Sequence, residues 1–158
     1  MNRTAAPRIF LVVVDDSVEM PVALYYASRR AQRSGGRIAL LHVIPRVESH
    51  GLASVEALMR EEARQEAEQL IQRLARTAYD EAGVIPIIYL KEGSLRDELM
   101  DLVTHDPSIS ILVLAAGTGP EGPGPLISFL AAKGLTKLRI PVTIVPGNLT
   151  HEQIDAIS

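Results

Sequence analysis

The chain has 158 residues, of which 47% are hydrophobic, and its formal net charge is -3. This apolar content is too high for a disordered chain and favours one domain with a sizeable core, while the negative charge argues against a nucleic-acid-binding surface. The absence of cysteine excludes disulfides, thiol catalysis and cysteine-ligated metals. The sequence has neither a signal-peptide pattern nor an apolar run long enough to span a membrane, so we expect a cytoplasmic protein.

Strand and helix patterns alternate along the chain. Continuous apolar, often β-branched runs predict five strands buried on both faces of a parallel sheet. These runs cover residues 9–14, 37–44, 84–90, 109–115 and 141–145. Apolar residues at helical spacing predict four helices, at residues 17–34, 53–82, 94–105 and 125–138. The helix over 53–82 carries one apolar stripe along its whole length.

The predicted helices carry recognisable end signals. Ser17 is the expected N-cap of the first helix, and the segment Ser94 to Asp97 is typical of a capping box for the third. Gly35 and Gly83 are expected to end the first two helices, because glycine readily adopts the left-handed conformation that follows a helix.

This order of elements, with right-handed crossovers, predicts an α/β fold in which an open parallel sheet has helices on both faces. We expect a single domain over residues 1–158, with its core at 8–147 and a mobile tail at 148–158. Ligands in such sheets bind beyond the carboxyl ends of the strands. The candidate residues at that edge are Asp15, Asp16, Ser17, Val43, Gly93 and the loop that starts at Gly117.

Asp15 directly follows the first predicted strand. A carboxylate there could accept a hydrogen bond from a ligand hydroxyl or amine, or hold a metal together with Asp16. The alternative is that one of these two residues only caps the first helix.

The segment between the fourth strand and the fourth helix is rich in glycine and proline, with the sequence GTGPEGPGP over residues 117–125. Glycines let the backbone approach a ligand, and a helix start offers free N–H groups, so this loop could cradle a phosphate. The three prolines remove N–H donors, Glu121 adds negative charge, and neither named phosphate motif is present. A rigid connector into the helix is therefore the open alternative.

The other chemistry-bearing residues form no recognisable constellation. The histidines, which do not recur at metal-ligand spacing, are His42, His50, His105 and His151, and we expect no metal site. There is no G-x-S-x-G elbow with a placed histidine and aspartate. The sequence predicts no catalytic residue.

Several segments in order resemble the universal stress protein family. They are VVVDDS after the first strand, LHVIP in the second, AGVIP and LKEG around the third, ILVLAAG in the fourth and IPVTIVPG in the last. The resemblance covers about residues 8–147. It implies the strand order 3-2-1-4-5, as in the adenine-nucleotide alpha-hydrolase-like fold, and a homodimer through the last strand, Pro141 to Val145.

One branch of this family binds ATP or another adenine nucleotide, which Mg²⁺ can accompany, and another branch does not. By position, the resemblance implies that Asp15 faces the adenosine end, Val43 lines the base pocket and Gly117 opens the phosphate loop. The family's nucleotide pattern is Gly-x2-Gly-x9-Gly followed by Ser or Thr. This chain departs from it, since Pro120 stands at the second glycine, and only Gly119 and Ser128 offer loose substitutes.

The sequence therefore indicates a stress-response regulatory or binding module, with an adenine nucleotide at the carboxyl ends of strands one and four and at most slow ATP hydrolysis. A dimerisation module without a ligand, or one with an unidentified protein partner, is the alternative within the same fold. A receiver-like phosphorylation domain is a further alternative, because VVVDDS also resembles its first strand. That reading lacks an aspartate after the third strand, which ends Leu90-Lys91-Glu92, and a lysine after the last.

Overall fold

The computed structural model describes residues 6–48 and 51–158, and the predicted loop residue His50 lies outside them. Strands and helices alternate, and one more helix follows the last strand. The elements are β1 Ile9–Val13, α1 Met20–Ser34, β2 Arg37–Ile44, α2 Ala53–Ala82, β3 Ile87–Glu92, α3 Leu95–His105, β4 Ile109–Ala116, α4 Pro125–Phe129, β5 Val142–Pro146 and α5 His151–Ile157. A π-helical turn, Leu130–Gly134, and a 3₁₀ turn, Leu135–Lys137, continue α4.

The five strands form one sheet in the order β3-β2-β1-β4-β5, and every neighbouring pair is parallel. This confirms the predicted fold class and strand order. β1 lies at the centre and is buried along its whole length, as its unbroken apolar sequence predicts.

Alternate residues of the strands build two cores, one on each face of the sheet. Leu11 and Leu41 belong to the core under α3 and α4, whereas Phe10, Val12 and Leu40 belong to the core under α1 and α2. Each of these side chains is almost fully buried, and burial of one such side chain contributes about 1.5–3 kcal/mol.

The helix-end predictions hold for the glycines and fail for the serines. Gly35 and Gly83 follow α1 and α2 with φ values of 70° and 76°, the left-handed conformation expected there. Ser17 does not cap α1, which begins at Met20 after an N-cap residue, Glu19, that makes no capping hydrogen bond. The Ser17 N–H instead donates to Asp15. Ser94 occupies the N-cap position of α3, but its side chain makes no capping bond either.

The apolar stripe predicted along α2 is buried only in the second half of the helix. Ala67, Ile71 and Ala78 are buried, whereas Val55 and Met59 are each 43% exposed. The first half contacts the end of the sheet mainly through polar groups, such as the Arg60–Glu92 ion pair at 3.0 Å, and its apolar side chains stay exposed. The prediction was therefore wrong for the first half.

The predicted mobile tail is also corrected, since its second part forms α5. Thr150 and Gln153 make a capping box at its start, with each side chain bonded to the other residue's backbone N–H. Ile154 is completely buried, and the Tyr25 hydroxyl of α1 donates to the Asp155 carboxylate at 2.8 Å. Among all described residues, no helix is long and apolar enough to cross a membrane.

Candidate functional site

The two central strands β1 and β4 send their following helices to opposite faces of the sheet. Their carboxyl ends therefore flank the crevice in which open α/β sheets bind ligands. The chain after β1 contributes Asp15 to Glu19, and the chain after β4 contributes the segment Gly117 to Gly124, which we call the glycine loop. Two cavities lie against this loop.

The inner cavity, of about 110 Å³, lies between β1, β4 and the start of α4. Apolar side chains and prolines form most of its wall, and Asp15, Ser17 and Glu19 supply the polar groups. The lining residues are Val13, Asp15, Ser17, Glu19, Met20, Leu95, Leu114, Ala115, Pro123, Gly124, Pro125, Leu126 and Ile127. Its volume is below the roughly 300–1,000 Å³ of usual small-molecule sites.

The outer groove, of about 630 Å³, runs along the other side of the glycine loop. It is more polar than the inner cavity and shares Glu19, Gly124 and Pro125 with it. The lining residues are Val18, Glu19, Gly117, Thr118, Gly119, Glu121, Gly122, Gly124, Pro125, Ser128 and Gly147. Its volume falls within the range of small-molecule sites.

Four of the five predicted site residues come together here. Asp15 lines the inner cavity, and Gly117, Gly119 and Ser128 line the outer groove. Val43 lines neither cavity, because its buried side chain belongs to the core under α3 and α4.

Asp15 does not cap α1, and it lines a cavity that a ligand could enter. Its Oδ1 accepts the Ser17 N–H at 2.8 Å, so the carboxylate closes a tight turn two residues long after β1 rather than capping α1. The residue is only partly buried and lines the inner cavity. Its carboxylate can therefore meet a ligand while the backbone bond holds it in place.

The glycine loop is closed by its own backbone. The Gly117 N–H donates to the Pro123 carbonyl at 3.1 Å, and the Gly122 N–H donates to the Gly119 carbonyl at 3.2 Å. Gly122 and Gly124 have φ values of 88° and 116°, which other residues rarely adopt. These internal bonds use N–H groups that an open phosphate cradle would direct at its ligand.

Acidic side chains dominate the charge around the loop. Glu19 lines both cavities, and its Oε1 lies 3.7 Å from where a Cβ on Gly117 would be placed. Glu121 adds a second carboxylate to the groove, and neither set of lining residues includes lysine or arginine. Arg96, the one arginine between Lys91 and Lys133, lies over the Phe129 ring at 4.8 Å.

Glu19 is the residue that sequence analysis missed. In the sequence it is one more acid at the start of α1, and no local signal distinguishes it. Its place between the two cavities follows from Gly147 after β5, where a Cβ would lie 2.5 Å from the Cβ of Glu19. Only the assembled sheet brings these residues together. Within residues 6–48 and 51–158, no group of three or more His, Asp or Glu could hold a metal ion.

Comparison with known proteins agrees with this architecture. The model of the universal stress protein family matches residues 7–146. No curated protein sequence matches the chain. Among solved structures, universal stress protein UspA from Lactobacillus plantarum is 19% identical, with a TM-score of 0.74 over 89% of this chain and 99% of that one.

Three of these similar structures contain a nucleotide, one of them being a universal stress protein in complex with cAMP. A universal stress protein family protein from Arabidopsis thaliana with AMP bound is 20% identical, with a TM-score of 0.63 over 89% of this chain and 92% of that one. The universal stress protein from Archaeoglobus fulgidus in complex with dAMP is 16% identical, with a TM-score of 0.59 over 89% and 98% of the two chains. At these identities the likeness concerns the fold.

Proposed function

Because the chain belongs to the universal stress protein family, we propose that it is a binding module that takes an adenosine monophosphate at the carboxyl edge of β1 and β4. The observation that carries this proposal is the pair of cavities that share Glu19, Gly124 and Pro125 across the glycine loop. An apolar cavity beside a polar groove suits a ligand with a flat base at one end and a phosphate at the other.

The inner cavity would hold the nucleoside end. Asp15 is one of three polar residues at its wall, and its carboxylate can accept a hydrogen bond from a ribose hydroxyl or from the base amine. The cavity of about 110 Å³ is small for a nucleoside, so we expect Leu126 and the end of the glycine loop to move outward on binding.

The charge of the outer groove favours a ligand with few phosphates. Glu19 and Glu121 repel added negative charge, and no lysine or arginine lines the groove to offset it. ATP brings more negative charge than AMP and should bind more weakly. AMP and dAMP, the ligands of two of the similar structures, are both monophosphates.

The experiment is the thermal midpoint of the purified protein without ligand, with millimolar AMP and with millimolar ATP plus Mg²⁺. A ligand at about a hundredfold its Kd stabilises the protein by roughly 2.7 kcal/mol, which should raise the midpoint by several degrees for AMP. Asp15→Ala should remove this shift. The matched control is Asp16→Ala, because Asp16 is exposed and lines neither cavity.

Glu19→Gln tests the preference for monophosphates. The variant should raise the shift caused by ATP more than that caused by AMP, because it removes one negative charge beside Gly117 and ATP carries more negative charge than AMP. An AMP shift that survives in Asp15→Ala, or no shift with either nucleotide, would contradict the proposed function.

We also propose that the chain forms a homodimer through β5. This strand is an edge of the sheet, since it pairs only with β4. Ile144 is 48% exposed on it, which is unusual for an isoleucine within a strand. An unpaired edge with an exposed apolar side chain is suited to pairing with a second copy.

A further inference from the structure

The other edge of the sheet carries a feature that neither the fold nor the proposed nucleotide site uses. A groove of about 860 Å³ lies between the second half of α2 and the segment that leads into β3. We call it the β3 groove. Its lining residues are Gln69, Gln72, Arg73, Ala75, Arg76, Tyr79, Asp80, Ile85 and Pro86.

Large apolar side chains are exposed in and beside the β3 groove. Tyr79 and Ile85 line it and are 49% and 70% exposed. Val84 and Ile88, at 41% and 45%, flank it on the same short stretch of chain. A cluster of exposed apolar residues of this kind marks an interaction surface more often than scattered ones do.

The strand beside the groove has an unpaired edge. β3 is the outermost strand and pairs only with β2. Its backbone N–H and C=O groups on the other side are therefore free to pair with an added strand. No proline interrupts Ile87–Glu92, and its charged residues, Lys91 and Glu92, lie at its end, so nothing in Ile87 to Leu90 prevents such pairing.

The charge at the groove is positive, although the whole chain carries -3. Arg73 and Arg76 line it, and within the described part of the chain they take part in none of the ion pairs. Arg37 lies at its end, where it donates to the Ile85 carbonyl at 3.0 Å. Asp80 is the single acid among the lining residues.

We propose that the β3 groove binds an extended, acidic segment of a partner protein, which adds to β3 as a further strand. The backbone of the segment pairs with the free edge of β3, its carboxylates lie against Arg73 and Arg76, and an apolar side chain packs between Tyr79 and Ile85. This is the strand-addition mode of peptide recognition, with pockets beside the edge selecting side chains.

The charge distinguishes this occupant from a second copy of the chain. A two-fold pairing of β3 with itself would bring the arginines of both copies towards one another, and like charges in an interface oppose association. The segment we infer carries the opposite charge. The groove is also separate from β5, so the proposed dimer leaves it open.

The test uses two fluorescently labelled short peptides, one of alternating valine and glutamate and one of alternating valine and lysine. Fluorescence anisotropy should show that the glutamate peptide binds the full chain at least about tenfold more tightly. The double variant Arg73→Glu, Arg76→Glu should lose this affinity. The matched control is Arg64→Glu, which changes an arginine of the same helix that lies outside the groove and pairs with Glu68.

Hydrogen exchange locates the bound peptide. Backbone N–H groups of β3 should gain protection in the presence of the glutamate peptide, and those of β5 should not. Equal binding of the lysine peptide, full binding by the arginine double variant, or protection at β5 instead of β3 would overturn the proposal. A dimer that dissociates in the Ile88→Lys variant would also overturn the proposal, because a second copy would then occupy the β3 edge.

Discussion

Tyr89 ties β3 to the turn between α3 and β4 through a single hydrogen bond. Its hydroxyl donates to Oδ2 of Asp106, the residue after α3. Burial, together with the hydrogen bond to Asp106 and the negative charge of that carboxylate, raises the pKa of Tyr89 to about 12. The Ser108 hydroxyl, followed by the Tyr89 hydroxyl, lowers the pKa of Asp106 by bonding to its charged form. The two shifts share the Tyr89–Asp106 hydrogen bond, which requires a neutral tyrosine and an ionised carboxylate.

Tyr89→Phe should therefore lower the free energy of unfolding by about 1 kcal/mol at neutral pH. The stabilisation contributed by ionised Asp106 is present above its ordinary pKa of 3.8 and is lost as pH falls through its lowered pKa. The stabilisation contributed by neutral Tyr89 is present below its ordinary pKa of 10.0 and is lost as pH rises through its raised pKa of about 12. The difference between wild type and variant should be largest between these limits, as measured by urea unfolding across the pH range.

The matched control is Tyr79→Phe, because Tyr79 is 49% exposed and lies on the other face of the sheet from Asp106. Tyr79→Phe should change the free energy of unfolding only slightly, and this change should depend little on pH. A Tyr89→Phe difference that grows in acid would show that the bond to Asp106 is not its source.

Side-chain contacts of this kind could not be predicted from the sequence. Arg139 donates to the carbonyls of Val103 and Ile109 at 2.9 Å and 3.1 Å, and also to that of Asp106. These partners lie at least 30 residues away. Asp15 shows that the same holds for a contact between near neighbours in the chain. The sequence allowed it either to bind a ligand or to cap α1, and only the structure shows that it accepts the Ser17 N–H.

At the scale of elements, α5 shows that a short helix can be firmly attached. Arg29 of α1 makes an ion pair with Asp155 at 3.0 Å, and the ring of Tyr25 stacks on that of His151 with centroids 3.8 Å apart. Ile154 supplies the apolar contact, being completely buried. An isolated helix of this length would not be stable in water, so its packing on α1 holds it.

Ile154→Ala should destabilise the protein by about 2–4 kcal/mol, because it removes buried methyl groups and leaves a cavity. Ile157→Ala, on the same helix but 62% exposed, is the control and should stay within about 0.5 kcal/mol. Urea unfolding measures both variants, and limited proteolysis should show cleavage near residues 148–158 only in the first. Equal effects of the two substitutions would contradict the packing of α5.

The sequence predicted the strands and the long helices well and missed the short helix α5, for physical reasons. Unbroken apolar runs located all five strands to within three residues at each end, and glycines fixed the ends of α1 and α2. α5 has seven residues and one buried side chain, too few for a helical stripe to be recognised. Its capping box at Thr150 and Gln153 was the available signal. In α2 the periodicity was correct, but periodicity does not reveal where the packing partner ends.

At the scale of the whole molecule, the order of elements, rather than any motif, predicted the edge of the sheet at which the two cavities lie. The topology predicted a crevice at β1 and β4, and two cavities lie there. The resemblance also pointed to Val43, which the structure keeps in the core. Whether the glycine loop was open could not be predicted, because this depends on backbone bonds between Gly117 and Pro123 and between Gly119 and Gly122.

The two edges of the sheet differ in a way that allows the proposed dimer to be tested against an internal control. Ile144 on β5 and Ile88 on β3 have nearly equal exposures, 48% and 45%, and both lie on strands with one neighbour. Two arginines, Arg73 and Arg76, line the groove beside the β3 edge. These charges oppose self-association at β3, and we therefore propose β5 as the edge on which a second copy pairs.

Ile144→Lys should convert the dimer to a monomer at micromolar concentration, whereas Ile88→Lys should leave it intact. A charge placed in an apolar, paired edge must be desolvated, which raises the dissociation constant by at least about tenfold. Light scattering coupled to gel filtration measures the mass of both variants and of the wild type. A wild-type monomer would contradict the proposal, and a dimer lost only in Ile88→Lys would place the interface at β3, where it would exclude the acidic segment inferred for that groove.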